Sequence, residues 1–455
     1  MWISVYCWSQ NTSIPDNNFE QALIDLGYDV APIDNSVPTA NISAITDLDI
    51  QNRGISNLTG IEDFISLTVL NCENNFINVL DITQNTNLTQ LFCSNKALNT
   101  INVSSLTNLQ ILWCGNNQLS SLDVSNNTQL ISLVCNDNQL TSIDVSNNTS
   151  LNVLVLEMNQ ISILNISNNS TLSRLNCSSN FITSLNLSNN LSLVNLNCGT
   201  NQLNDLDTSN NPLLNYLDVS FNLIEELDLS ENSQLIEVDC SNNNLCRLII
   251  NNGNNSDLNV FDFSNNTNLN CVVVDNPSLI NPSWIPASFT NYVNIVNDCN
   301  VFVNVDTLDD YVGTSYILPL LTYGNYYTNS GGNGTPLFAG NVITTSQTIY
   351  IYNETFCDSN ESNFNVLITT DSYYIPKYFT PNNDGNHDVW LVKDFANNMK
   401  DITIFDHYGK LLKYLEPGIA WDGTFNGKPM ETNDYWYVIS FQNGETIKGH
   451  FTLKR

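Results

Sequence analysis

The hydrophobic positions in the larger, N-terminal part of this chain recur at a fixed spacing. A small or branched apolar residue falls at Cys72, Cys93, Cys114, Cys135, Leu156, Cys177, Cys198, Val219 and Cys240, and every step is 21 residues. Ile50 precedes the series by 22 residues and Phe263 follows it by 23. The frame is Leu-x-Cys-x-x-Asn-x-Leu, as in Leu133-Val-Cys135-Asn-Asp-Asn138-Gln-Leu140. Leu and Cys at alternate positions predict a short strand with both side chains inward and the residues between them outward. One 21-residue coil cannot bury its own apolar edge, so neighbouring coils must stack on a shared core.

Polar positions repeat as strictly. Asn75, Asn117, Asn138, Asn159, Asn180, Asn201, Asn222 and Asn243 each follow the inward position by three residues. There an amide is expected inside the turn, bonding backbone groups that the bend leaves unpaired. Arg53 and Lys96 interrupt this ladder, and their coils are expected to be looser. A second half-repeat follows about ten residues on, Leu122-Asp123-Val124-Ser125-x-Asn127, with copies at Asp144, Asn165, Asn186, Asp207 and Asp228. It predicts a second inner ladder at Asn127, Asn148, Asn169, Asn190, Asn211 and Asn232, from which Leu106 departs. From about Ala40 to Asn276 the chain resembles the leucine-rich-repeat family. The expected architecture is a mainly β, curved solenoid with a parallel sheet on its concave side.

Solenoid ends need caps, because a terminal coil otherwise exposes core. Ile14-Pro15-Asp16-Asn17-Asn18-Phe19-Glu20 predicts a short amphipathic helix to about Leu26, with Asp16 and Glu20 suited to a helix N-terminus. Leu269-Asn-Cys271-Val-Val-Val-Asp275, Trp284 and Cys299 break the period and predict a C-terminal cap. Seven of the 12 cysteines hold the inward position, where Leu156 and Val219 replace them, so they read as small core hydrophobes. Stacked strands lie roughly 4.8 Å apart, whereas a disulfide wants Cβ atoms roughly 3.5–4.5 Å apart, so ladder disulfides are not expected. Off the ladder are Cys7, Cys246, Cys271, Cys299 and Cys357; Cys271–Cys299 is the favoured bridge. No Cys-x-x-Cys pair is present for zinc.

Beyond residue 300 the pattern changes to short β runs, Val301-Phe-Val-Asn-Val305, Ser315-Tyr-Ile-Leu-Pro319 and Gln347-Thr-Ile-Tyr-Ile-Tyr352, punctuated by Gly331-Gly-Asn-Gly334. Residues 300–372 predict a small β-sandwich that resembles the immunoglobulin-like modules of bacterial surface proteins. The last segment, 374–455, carries Phe379-Thr380-Pro381-Asn382-Asn-Asp384-Gly385-Asn-His387-Asp388, Ile404-Phe-Asp-His-Tyr-Gly409-Lys410, Trp421-Asp422-Gly423, Tyr435-Trp-Tyr437 and Lys448-Gly449-His-Phe-Thr-Leu-Lys454-Arg455. It resembles the C-terminal sorting domain (type B, gliding-motility associated) of proteins exported by the type IX secretion system of Bacteroidetes, with His387 and His407 departing from the usual residues. The resemblance implies an antiparallel β module read by an outer-membrane translocon. It also implies Sec export followed by type IX secretion, and placement outside a Gram-negative cell or on its surface.

Charge sharpens this division. The chain carries 45 Asp and Glu against 13 Lys and Arg, a net charge of -32. Nine of the basic residues lie between Lys377 and Arg455, opposite ten acidic ones, so nearly the whole excess lies upstream. This break predicts a boundary near Asp371–Lys377. A surface so anionic argues against nucleic acid and anionic lipid as partners, and leaves cations, calcium or neutral glycans open. No apolar run is long enough to span a bilayer. Residues 1–10 read as the end of a truncated signal peptide cleaved near Ser9–Gln10, and 11–49 as the N-terminal cap region before a solenoid over 50–299.

The chemistry of catalysis is sparse. The three His, at 387, 407 and 450, all lie in the last segment, so no Ser-His-Asp or Cys-His set is available to the solenoid. Asp123/Asp144 and Asp207/Asp228 stack on adjacent coils rather than facing each other across a cleft, as a glycosidase needs. They read as a solvated face, with calcium bridging as the alternative. Asp384 and Asp388 read as turn residues. The expected ligand face is the outward strand positions, where Phe92, Ile111, Trp113, Val134, Val153 and Val155 form an apolar stripe with a polar rim. Glu157 and Asp137 could add charge selectivity. The bland alternative is that such residues simply suit strands. A protein- or glycan-binding surface or secreted protein is the leading expectation; a structural spacer is second and a hydrolase third.

Overall fold

The computed structural model describes residues 10–94, 98–299, 303–383 and 387–455. Two compact units, Met1–Val301 and Phe302–Arg455, make up the chain. In the first, eleven three-residue strands form one parallel sheet, from Asp47–Asp49 through Ile111–Trp113 and Arg174–Asn176 to Val260–Asp262. Neighbours pair without slip: Leu91 lies beside Leu112, Leu112 beside Leu133, and Leu133 beside Leu154. These leucines and the seven ladder cysteines are fully buried, in one core that runs the length of the unit. Burial pushes the thiols up, those of Cys114 and Cys177 to about 12.

The turn after each strand explains the Asn ladder. The second residue after the inward position takes a left-handed conformation in coil after coil: Asn74, Asn116, Asp137, Met158, Ser179, Thr200, Phe221, Asn242 and Asn265. The very next residue, the ladder Asn, then turns inward. Asn138 Nδ2 donates to the carbonyls of Cys135 and of Cys114 in the preceding coil, each at 3.1 Å, while its Oδ1 accepts from Leu119 N at 2.9 Å. One side chain thus closes its own bend and fastens it to the coil before. Arg53 does not loosen its coil as expected. Its backbone N–H and that of Ile55 both donate to Asn75 Oδ1, at 3.1 and 3.0 Å, and its exposed guanidinium pairs with Asp25 at 2.7 Å. Lys96 lies outside the described residues.

The second ladder is equally buried. Asn169 Nδ2 donates to the carbonyls of Val145 and Asn148, at 3.1 and 2.9 Å, and the same pair of bonds recurs at Asn127, Asn148, Asn190, Asn211 and Asn232. On this side the structure adds a second parallel sheet, Glu226–Asp228, Arg247–Ile249, Cys271–Val273 and Tyr292–Val293. The sequence changes from the second of these strands on: Leu248-Ile-Ile250 and Val272-Val-Val274 are branched throughout, which suits regular strands, whereas Leu227-Asp-Leu229 still alternates as Leu122-Asp-Val124 does.

Both ends are closed. The helix Asn17–Asp25 is capped by Asp16, whose Oδ1 accepts from Asn18 and Phe19 N–H, while Oδ2 accepts from Ser56 N–H, Ser56 Oγ and Asn57 N–H. Burial alone would raise this carboxyl's pKa, and the bonds from Ser56, Phe19 and Asn57 hold it below its ordinary value. Fully buried Glu20 accepts from Asp34 and Asn35 N–H at 2.6 and 2.8 Å. At the other end Phe261, Phe263, Trp284 and Phe289 pack ring to ring, and Cys271 and Cys299 form a disulfide with Cα atoms 5.6 Å apart.

The second unit has two separate cores. Leu318, Tyr326, Ile349, Ile351 and Phe364 belong to the first, under a five-stranded sheet that includes Gln347–Glu354 and Ser359–Ile368. Tyr316–Ile317 is a strand as expected, but Val303–Val305 is not, its carbonyls at 303 and 304 instead accepting from the side chains of Asn360 and Asn353. Val301 and Phe302 lie outside the described residues. Around the second core three pairings are antiparallel, joining Leu411–Leu415, Met399–Phe405, Asn433–Phe441 and Thr446–Leu453; the short strand Tyr378–Phe379 adds a parallel edge.

Five oxygens of the second ladder, Oδ1 of Asn127, Asn148, Asn169, Asn190 and Asn211, are buried without a hydrogen-bond partner among the described residues. Asn232 escapes this because Thr208, at the position of Val145 and Val124, donates to its Oδ1 at 2.7 Å. Val145→Thr is therefore expected to supply the missing donor for Asn169. A hydroxyl buried without a partner costs about 1–3 kcal/mol; here denaturant unfolding should find stability within about 0.5 kcal/mol of the parent or above it. A loss above about 1 kcal/mol would show that the oxygen is out of reach.

Candidate functional site

Each strand of the long sheet offers two outward side chains, one on either side of its buried centre. The exact register turns these into two rows across the coils. One runs Ile111, Ser132, Val153, Arg174, Asn195, Tyr216, Glu237; the other runs Phe92, Trp113, Val134, Val155, Asn176, Asn197, Asp218, Asp239. The six apolar residues expected on this face do come together on four consecutive coils. Phe92 and Trp113 meet edge to face at 5.0 Å, and Trp113 Nε1 donates to Ser132 Oγ at 3.2 Å. Trp113 is 39% exposed; Phe92, Ile111, Val134, Val153 and Val155 are half-buried.

What these coils give up distinguishes the stripe from ordinary strand packing. In seven coils the third strand residue is Asn or Asp, and its Oδ1 accepts from the N–H two residues on. Asp49, Asn71, Asn176, Asn197, Asp218, Asp239 and Asp262 do so at 2.9 to 3.2 Å. The four remaining coils carry Phe92, Trp113, Val134 and Val155 at that position and lack the side-chain acceptor. A local bond favoured everywhere else has been replaced by solvent-facing apolar surface.

Beyond the stripe the face becomes polar and then acidic. A groove of about 310 Å³ is lined by Arg174, Leu175, Asn176, Asn195, Asn197 and Tyr216. Burial, with Asp218, Glu237 and Asp239 nearby, raises the Tyr216 hydroxyl above its ordinary pKa, so it stays a neutral donor. Arg174 escaped the sequence reading, although it holds the same row position as Ile111 and Val153.

The other carboxylates serve turns. Asp123, Asp144, Asp207 and Asp228 each accept, at 2.9 Å, from the N–H of the serine two residues on. The serine side chain, and then its N–H, hold Asp123, Asp144 and Asp207 below the ordinary carboxylate range. Asp207 and Asp228 also line an open groove of about 380 Å³ with Asp205, Glu231, Glu226 and Arg247, the last two forming an ion pair. Among the described residues no three His, Cys, Asp or Glu are placed to hold a metal ion together.

The motif residues of the last segment mostly build its turns and core. Phe379 and Trp421 are buried and pack together, and Trp421 Nε1 donates to Thr424 O. Asp388 Oδ1 accepts from Asn382 and Asn383 N–H at 3.0 and 2.6 Å, and Thr380 N–H donates to His387 O at 2.7 Å. Pro381 is half-buried at this turn. Asp422 caps Thr424; burial would raise its pKa, and the Thr424 bonds hold it down. Gly423 has φ +74° and lies where any Cβ would meet Leu453 at 2.7 Å, while a Cβ on Gly449 would collide with the Tyr437 phenol. Arg455 donates to the carbonyls of Met430 and Gly423, and the Lys454 ammonium lies 4.9 Å from the centre of the Tyr378 ring. Lys448 is exposed. Asp384 and Gly385 lie outside the described residues.

Comparison with known proteins fits this division. Residues 373–453 match the family described as CHU_C Type IX secretion signal domain. Internalin J of Listeria monocytogenes is 38% identical over 78 residues, which is 17% of this chain and 8% of that protein. A solved functional domain of InlJ from Listeria monocytogenes, described as including a cysteine ladder, is 25% identical. It covers 79% of this chain and 99% of its own, with a TM-score of 0.49. A leucine-rich-repeat protein of Leptospira interrogans is 27% identical, covering 47% of this chain and 58% of its own at a TM-score of 0.42. The chain thus has the fold of a leucine-rich-repeat solenoid, followed by a segment that matches a type IX secretion signal domain. That signal implies export and a place at the cell surface or outside the cell. Among the described residues no helix is long and apolar enough to cross a membrane.

Val155→Asn separates the two readings of the stripe. If the valine serves a partner, the new Asn takes up the Glu157 N–H as Asn176 takes up that of Ser178, and thermal unfolding should show no loss of stability. If it serves strand packing, the change should cost on the order of 1 kcal/mol.

Proposed function

We propose that this chain is an adhesion-type binding protein that holds a protein partner across the apolar stripe of its long sheet. The observation that carries the reading is the loss of the turn cap in the four coils that bear Phe92, Trp113, Val134 and Val155, with the cap kept in the other seven. Apolar residues gathered at the centre of a face and bordered by polar ones suit a protein interface, whose core is apolar and whose rim is wet. The aromatic pair Phe92–Trp113 supplies the rigid anchor that such interfaces favour.

In this reading the sheet does the binding and the last segment is an address. A Sec step would carry the chain to the periplasm of a Gram-negative cell, and the type IX translocon would take it across the outer membrane. Catalysis has no part in it, and it calls for no cofactor. The carboxylates that could have served a hydrolase already accept from serine N–H groups or pair with Arg247.

Replacing both Phe92 and Trp113 with Ala is expected to lower attachment of the purified full chain to its native cell surface at least tenfold. The unfolding temperature should change little, because both side chains face solvent. Undiminished attachment by a folded double variant would overturn the reading.

A further inference from the structure

The cations of the solenoid unit are few, and two of them are neutralised. Arg53 pairs with Asp25, and Arg247 with Glu226. Arg174 has no carboxylate partner among the described residues and stands exposed on the sheet face. The nearest candidate on the neighbouring coil, Glu157, is turned elsewhere: its Oε2 accepts from Asn176 Nδ2 at 3.0 Å. In register Arg174 lies between Val153 and Asn195, which makes it the first charged residue beyond the apolar stripe.

The groove beside Arg174 holds further donors. Asn197 uses its Oδ1 to accept from Gly199 N–H, and its Nδ2 is left over. The Asn195 amide is exposed, and the Tyr216 ring forms one wall. Asp218, Glu237 and Asp239 follow on the next coils. Along the coils, then, the face reads apolar, positive with amide and hydroxyl donors, and negative. An unpaired guanidinium in so anionic a protein has a strong electrostatic demand, and its planar fork matches a carboxylate.

We infer that the groove receives a carboxylate carried by a polypeptide, with Arg174 as its counter-ion and Asn195, Asn197 and Tyr216 as supporting donors, while the adjoining apolar residues of that polypeptide lie on the stripe. The inference rests on the reading that the stripe holds a protein. A glycan uronate would bring the same carboxylate but would leave the six apolar side chains uncovered, so the polypeptide is the occupant favoured. The acidic coils beyond the groove repel a second carboxylate and accept a cation. The matching segment is therefore apolar, then acidic, then basic.

The test uses the full chain and two synthetic probes, acetyl-Leu-Val-Glu-Gly-Lys-amide and its Gln counterpart, in calorimetric titrations at low salt. The Glu peptide is expected to bind at least tenfold more tightly than the Gln peptide. In Arg174→Gln that advantage should vanish while the Gln peptide is unaffected, and Arg174→Lys should restore only part of it. Equal affinity for the two peptides, no binding of either, or an advantage that survives Arg174→Gln would overturn the proposal. So would free glucuronate binding as tightly as the Glu peptide, which would assign the carboxylate to a glycan. Trp113→Ala should weaken both peptides equally and keep their ratio. If it weakens neither while the ratio depends on Arg174, the stripe reading fails and the carboxylate groove stands.

Discussion

The side-chain amide of one asparagine per coil is the contact on which the rest of this solenoid depends. Where two coils meet, a carbonyl from each turns into an interior that is otherwise Leu and Cys, where an unpaired peptide oxygen is costly. Asn138 answers both at once and, through its oxygen, holds the backbone of the coil before it. Repeated coil after coil, this fixes the strand register, and the register is what turns isolated outward residues into continuous rows. The bend also sets the backbone of the position just before this Asn to be left-handed, whatever residue stands there. Asn and Asp accept this readily, whereas Met158 and Phe221 take the same conformation with their side chains 55% and 57% exposed.

Because the frame is so uniform, departures from it carry information. A row of capping Asn and Asp interrupted by Phe92, Trp113, Val134 and Val155 is a local sacrifice of stability, and it coincides with a continuous run of apolar side chains on the sheet face. The acidic excess behaves differently. Many of the carboxylates close turns, as Asp123 does with Ser125 and Asp218 with Ser220, so the charge is in part a by-product of how this chain makes bends. Against that background a single unpaired guanidinium stands out more than any cluster of acids.

Most of the solenoid was legible in the sequence because its period is a direct image of its geometry. The inward ladders, the helix that begins after Asp16 and the outward stripe all follow from counting residues. What escaped notice depends on more than the period. The second sheet begins at Glu226–Asp228, whose Leu227-Asp228-Leu229 alternates like the earlier half-repeats, and spacing alone does not register where pairing starts. Val303–Val305 has the composition of a strand, yet the Asn353 and Asn360 side chains take its carbonyls. The firm coil at Arg53 came from backbone N–H groups, to which the identity of the side chain is irrelevant. Arg174 was countable in the same row as Val153; its meaning appears only when Glu157 is seen to be bonded elsewhere.

The stacked thiols bring a constraint of their own to a protein destined for the outside of a cell. While the coils are closed, burial keeps each sulfur protonated, Cys114 and Cys177 with pKa values of about 12, and therefore inert to oxidants. If two adjoining coils part, however, a pair of sulfurs one rung apart is released together, and a bond between them would not fit the closed stack. Each opening in oxidising surroundings thus risks becoming permanent. Leu156 and Val219 act as firebreaks, dividing the column so that such damage cannot pass from one run of sulfurs to the next.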